Sequence, residues 1–305
     1  MNYLIEKMLN GDWASLSQCK VDLGEVLGQQ FILSIAKVAP AYSDSSHHVY
    51  KLVLRDVFGH SRKVVIKFTS QKMIAKNKFW QRYNQIFAHN FPEYLLDSHW
   101  LFEFYNAREP IRTPEVLLKV WSKESRAGFL MVSWEEGVKL KQVTPYHLAQ
   151  VGEYLSSLQR VKTIELEEFD LNSWRQRMQY AIEASDISQA AQARLISQLM
   201  ESDFSELSYC IVDLRWDQFI CQPESQRLVM LDLDAMAIMP SHFNWALLEI
   251  WLTPQQCANI QSACSREMPD LSGSRELWRW LIWYLELFGV QPLDKVLMAP
   301  ISFGR

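Results

Sequence analysis

The sequence predicts an α+β chain of two lobes, β-rich over residues 1–134 and helical over 135–305. Three observations predict it. Short runs rich in Val, Ile, Leu, Phe and Tyr, broken by turn residues, occupy most of the first lobe. Beyond it, apolar residues recur at spacings of three and four. The 49% apolar and 22% charged content supplies a sizeable core and excludes a disordered chain.

In chain order, QFILSIAKVA, HVYKLVLRD and RKVVIKFT, within 29–69, read as strands, with a turn at Phe58-Gly59-His60-Ser61 between the last two. The polar, partly aromatic stretch 71–110 reads as mostly helical. Strand pattern resumes after Pro114 in EVLLKVW and again in Gly128–Trp134, which Glu135-Glu136-Gly137 ends. About five strands are therefore expected in the first lobe. In the second, Leu148, Val151, Leu155 and Leu158 mark a helix over Pro145–Arg160. One or two helices follow over 172–202. Two short apolar runs, YCIVDL and RLVMLDL, lie between 209 and 234, joined by a polar turn containing Pro223. Residues 241–297 read as helical and Trp-rich.

Composition excludes several function classes. With 31 basic and 35 acidic residues the formal net charge is −4, which argues against a broad attraction to nucleic acid. No run approaches the roughly 18 apolar residues of a membrane span. The opening segment carries Glu6, Lys7 and Asp12 where a signal peptide needs an unbroken apolar run. The five cysteines are scattered, without zinc-site spacing. The expectation is a reduced, cytoplasmic setting without a membrane.

The chemistry concentrates in Cys210–Phe219 and Leu228–Ala235. An Asp ending an apolar run is costly unless it has a partner or a task. Here it happens twice, at Asp213 and Asp232, 19 positions apart. An Asp-bearing loop followed, after a short hairpin, by a second Asp is the arrangement phosphoryl transfer uses. One carboxylate orients the attacking hydroxyl, and the other holds Mg²⁺ at the phosphates. Gln218, five residues after Asp213, stands where an amide oxygen serves as second metal ligand in kinase-type loops. Either Asp alone also reads as a turn cap or a strand end. Their order and spacing on a β-then-α chain favour the joint reading.

Ile211-Val-Asp-Leu-Arg-Trp-Asp-Gln218, then Leu231-Asp-Leu233, Pro240 and Asn244-Trp-Ala246 resemble a known pattern. It is that of the aminoglycoside phosphotransferase, choline kinase and ecdysteroid-kinase-like superfamily: His-Gly-Asp-Leu-x-x-x-Asn, an Ile-Asp strand end, a Pro and an Asp-Leu-Ala helix start. The resemblance runs through most of the chain and implies a protein-kinase-like fold. It implies ATP and Mg²⁺ as cofactors, Asp213 as catalytic base, and Asp232 with Gln218 as metal ligands. The chain departs from the pattern at Ile211-Val212, which replaces His-Gly, and at Gln218, one methylene longer than Asn. A family His closing the next helix falls at Gln159.

The same resemblance assigns a phosphate-gripping lysine, Lys67 in Val64-Val-Ile-Lys-Phe68, and its helical partner Glu103, with Glu93 as the alternative partner. A Lys on an edge strand, its stem on apolar surface, is the plainer reading of Lys67. Lys67 and Glu103 stand 36 positions apart, which makes 71–99 an insertion. The phosphate-covering loop falls at Pro40–His48, where Ser45 and Ser46 would present N–H and hydroxyl groups; it has no Gly and also reads as an ordinary polar turn. The base-binding hinge falls at Met131–Trp134, including Ser133.

No activation segment fits between Asp232 and Pro240, so the expected acceptor is the hydroxyl of a small molecule, not a protein. Trp245, Trp251, Trp278, Trp280 and Trp283 could face an ammonium group. Leu277–Leu285 reads better as a buried helix. The expected activity is ATP-dependent phosphate transfer to that hydroxyl. The alternative is a catalytically impaired kinase-fold binding or scaffold protein.

Overall fold

A computed structural model describes residues 31–38, 47–89, 110–122, 126–140, 142–161, 164–264, 269–287, 289 and 291–303. They fall into two compact units, one drawn from 1–81, 89–107 and 113–136, the other from 82–88, 108–112 and 137–305.

The first unit is a five-stranded antiparallel sheet. It comprises β1 (Phe31–Val38), β2 (His48–Arg55), β3 (Ser61–Ser70), β4 (Val116–Ser122) and β5 (Ala127–Ser133) in the order β1-β2-β3-β5-β4. Alternation fixes its register. Tyr50, Leu52 and Leu54 of β2 and Val64, Ile66 and Phe68 of β3 pack with Phe129 and Met131 of β5 in one core. The β2–β3 turn is set by Asp56, whose Oδ1 accepts from the N–H groups of Phe58 and His60, both at 2.9 Å. Gly59 takes the left-handed φ of +90° that the turn requires. Two helices follow β3, α1 (Gln71–Ile74) and α2 (Lys78–Phe87). Asn77 starts α2 by accepting from Trp80 N–H at 3.1 Å, and Trp80, Tyr83 and Phe87 share its buried side.

The second unit is mainly helical. Helix α3 (Pro145–Leu158) opens on a capping box between Thr144 and His147, with Pro145 in the first turn. Helix α4 (Ile164–Glu167) is a single turn. Helices α5 (Leu171–Glu183) and α6 (Gln189–Glu201) start on the side chains of Asp170 and Ser188. The strands β6 (Val138–Lys139), β7 (Leu207–Ile211), β8 (Phe219–Cys221), β9 (Leu228–Met230) and β10 (Met236–Pro240) form two small sheets, β6-β8-β9 and β7-β10. Helices α7 (His242–Trp251), α8 (Pro254–Ala263), α9 (Arg275–Tyr284) and α10 (Leu293–Leu297) complete the unit. Gly152 of α3 lets α8 approach: a Cβ there would stand 3.0 Å from Ile260 Cγ2 and 3.2 Å from Cys264 Sγ. In α9, Leu277, Trp278, Trp280, Leu281 and Ile282 are buried, as expected of a helix apolar nearly all round. Trp278 stacks on Trp174 of α5.

Candidate functional site

The acidic constellation is assembled by short strands buried on nearly every side chain, so alternation cannot set their register. Backbone and amide bonds hold it instead. Strand β7 ends at Ile211, opposite Met236 of β10. Val212 N–H then donates to Ala235 O at 2.7 Å, so the stretch before Asp213 runs beside the stretch after Asp232. Asn244 of α7 grips Ile211 on both backbone groups. Its Oδ1 accepts from Ile211 N–H at 3.1 Å, and its Nδ2 donates to Ile211 O at 2.7 Å. Asparagine suits this place because it offers a donor and an acceptor together; a carboxylate would only accept.

Leu214 anchors the turn in the core, and Trp216–Gln218 form a short 3₁₀ turn that returns the chain to β8. This folds Gln218 onto Asp213, where its Nε2 donates to Oδ2 at 3.1 Å. The other oxygen of Asp213 meets Arg215 Nη1 at 3.1 Å, and Arg215 Nε reaches Asp217 Oδ1 at 3.0 Å. The carboxyl of Asp213 is pushed up to about 7. Loss of solvation is the main cause. The charges of Asp232 and Asp217 push the same way, while Arg215 and the Gln218 amide oppose them.

The β8–β9 hairpin carries the chain back to the second acid. Leu231 N–H donates to Gln218 O at 2.8 Å, which seats Asp232 beside the Asp213 turn. Asp232 Oδ1 accepts from Asp234 N–H at 3.1 Å, closing its own turn. Asp232 and Gln218 fit a divalent cation by their chemistry. The Gln218 amide nitrogen is spent on Asp213, while its Oε1 is buried and accepts no hydrogen bond among the described residues. A carboxylate and an amide oxygen are hard ligands of the kind Mg²⁺ takes. Among the described residues no group of three or more His, Cys, Asp or Glu side chains is arranged for a metal.

In the first unit, Lys67 lies on β3, the central strand, paired with Val49 on one side and Leu130 on the other. The edge-strand reading of Lys67 therefore fails. Alternation turns it to the face opposite Ile66 and Phe68, and it is only 7% exposed. Met131 sits in the sheet core with ladder partners on both sides. Ser133 Oγ accepts from Glu115 N–H at 2.9 Å and donates to Glu135 Oε1 at 2.8 Å. Glu103, Glu93, Ser45 and Ser46 lie outside the described residues.

No protein-family model and no curated protein matches the sequence. Solved structures do match. A macrolide 2'-phosphotransferase from Brachybacterium faecium superposes with a TM-score of 0.58 at 12% identity, over 89% of this chain and 90% of its own. A choline kinase from Streptococcus pneumoniae gives 0.57 at 13% identity, over 94% and 93%. An aminoglycoside 2'-phosphotransferase in complex with GDP gives 0.59 at 9% identity, over 90% of each chain. The chain has the kinase-like fold of these small-molecule phosphotransferases. The fold class expected from sequence is thus shown by structure.

Within this kinase-like fold, three further side chains shape the site. Arg215 lies inside the motif but reads as an ordinary loop cation until its pairing with Asp213 is seen. Asp234 is more buried than Asp232; the Asp-Leu-Asp repeat at 232–234 was its only signal. Asn244 was matched to a motif position, but its grip on Ile211 across 33 residues had no local signature. Of the five C-terminal tryptophans, Trp245, Trp278 and Trp280 are core residues and offer no face to a ligand.

Proposed function

We propose that the protein is an ATP-dependent phosphotransferase that acts on a hydroxyl of a small molecule. The observation that carries the reading is the convergence of Asp213, Gln218 and the Asp232 turn through hydrogen bonds. In this reading Asp213 orients the acceptor hydroxyl and takes its proton. Burial raises its carboxyl and makes it a stronger base than a solvated aspartate. Gln218 donates to one Asp213 oxygen and fixes the direction of the other. Asp232 and Gln218 Oε1 would hold Mg²⁺, which supplies charge neutralisation at the phosphates when bound. Lys67 would hold the phosphates, oriented by Glu103, with Ser45 and Ser46 in the covering loop. Met131 and Ser133 would belong to the strand leading to the base-binding stretch. Met131's backbone is in the ladder, Ser133's side chain is engaged and Trp134 N–H donates to Lys63 O, so Glu135–Gly137 is the better place for base contacts. The neighbours act on macrolides, aminoglycosides and choline by their names, and some hold GDP or ADP, which supports a nucleotide donor and a small acceptor. A cytoplasmic setting is part of the proposal; no helix among the described residues is long and apolar enough to cross a membrane.

Calorimetry with a non-hydrolysable ATP analogue tests the reading, and absence of Mg²⁺-dependent binding at millimolar nucleotide sinks it. Asp213→Ala should cut turnover by roughly 10²–10⁴-fold and leave analogue affinity nearly unchanged. One observation favours a second reading, a binding protein without transfer. Apolar Ile211-Val212 precede Asp213, and the Arg215 guanidinium stands 3.1 Å from its Oδ1. That reading expects nucleotide binding without turnover, and ATP hydrolysis lost in Asp213→Ala would refute it.

A further inference from the structure

Helix α7 carries two buried polar side chains five positions apart, Asn244 and Glu249. Asn244 holds the backbone that leads into Asp213. Glu249 has no part in that site and is fully buried. Its Oε1 accepts from the N–H groups of Ser302 at 3.1 Å and Phe303 at 2.9 Å. Its Oε2 accepts from Arg275 Nε and Arg279 Nη2, both at 3.0 Å. Arg279 then donates through Nη1 to the carbonyls of Leu297 and Ala299 at 2.7 Å and through Nη2 to that of Pro300 at 3.0 Å. Arg275 also donates to the Phe303 carbonyl. The Phe303 ring, fully buried, meets Trp245 edge-on at 5.6 Å, and Trp245 is the residue after Asn244.

A buried carboxylate between two guanidiniums is costly to desolvate, and apolar packing could hold the helix at least as firmly. What the ionic cluster adds is direction. All four acceptor positions of Glu249 are used, by two helix side chains and two backbone groups of one segment. We propose that Glu249 is a positioning residue: the cluster it organises clasps Leu297–Phe303 onto α7, and so fixes Asn244, Ile211 and the Asp213 turn in one arrangement. The clasp itself stands on these bonds alone; its consequence for turnover rests on the phosphotransferase reading.

Amide hydrogen exchange of the full chain tests it, in the native sequence and in Glu249→Gln and Phe303→Leu. Loosening the clasp should raise exchange at Ile211 and Val212 by roughly tenfold or more. Met178, buried in α5 of the same unit, should exchange as before. Equal acceleration at Ile211 and Met178 would mean general destabilisation, and no change at Ile211 would mean that the cluster only fastens its own segment; either overturns the proposal. Phe303→Leu leaves every charge in place and carries the test if Glu249→Gln does not fold. Where the native chain turns over, both variants should lower kcat with little change in the KM for nucleotide. A native chain without turnover fails the phosphotransferase reading, while the exchange result still decides the clasp.

Discussion

The strands of the five-stranded sheet run seven to ten residues, and those around Asp213 run two to five. In the long strands, alternate side chains bury enough apolar surface to fix register without help. Of the short ones, β7, β8, β9 and β10 are buried on nearly every side chain, so no alternation sets their register. Ile211, Val212 and Leu231 are fixed by bonds to Asn244, Ala235 and Gln218. One region is specified by many interchangeable apolar contacts, the other by a few polar contacts that are not interchangeable.

The largest stability effect should come from the sheet. Phe68 lies in its core with Tyr50, Ile66 and Phe129. Phe68→Ala should cost about 3–5 kcal/mol, as large aromatic deletions do. Phe68→Leu should cost much less, because volume and apolarity are largely kept. Urea unfolding measures both. A large penalty for Phe68→Leu would mean that the sheet too depends on particular shapes, and the contrast would fail.

Legibility follows the same division. All five long strands were readable, because period-two patterns and the breaks at Gly59, Pro114 and Glu135–Gly137 are local. Asp213 and Asp232 were readable because a carboxylate closing an apolar run is itself an anomaly. The contacts that make them a site were not. Asn244 reaches Ile211 across 33 residues, and Glu249 reaches Phe303 across 54. Pairings at that range leave no periodicity and arise only once α7 is packed. Lys67 shows the opposite error. Its strand is legible locally, but whether that strand lies at the edge or the centre depends on β5, which arrives more than fifty residues later.

A smaller effect, but a less forgiving one, is expected at Asn244. Asn244→Asp is nearly isosteric and keeps an acceptor for Ile211 N–H. It removes the donor to Ile211 O and sets a negative charge against that carbonyl. The cost should be about 1–3 kcal/mol, the usual penalty for stranding a buried polar group. Unfolding midpoints measure it. A neutral outcome for this isosteric change would show that geometry at Ile211 tolerates substitution as the sheet does.

The smallest effect tests whether a single polar bond also orders the start of α3. His147 Nδ1 accepts from Thr144 N–H, and its own N–H donates to Thr144 Oγ1, both at 3.3 Å. The ring is buried, and loss of solvation lowers its pKa below the usual 6.5. The acceptor role also requires an unprotonated Nδ1. The unfolded chain therefore takes up a proton before the folded one does. The contribution of His147 should be full above a pH of about 6.5, fall as pH drops through that value, and level off below the folded pKa, while Asp213, pushed up to about 7, works in the opposite sense. His242, whose pKa burial also lowers, contributes with the same sign, so the raw pH dependence does not isolate His147. His147→Gln does, because it keeps a side-chain acceptor for Thr144 N–H and removes the titration. The stability difference between the native chain and His147→Gln should shift against the native chain as pH falls from about 8 to about 5. If that difference stays flat, the pH dependence belongs to other groups such as His242 and Asp213, and the His147 ring has no pH-sensitive part in the cap of α3.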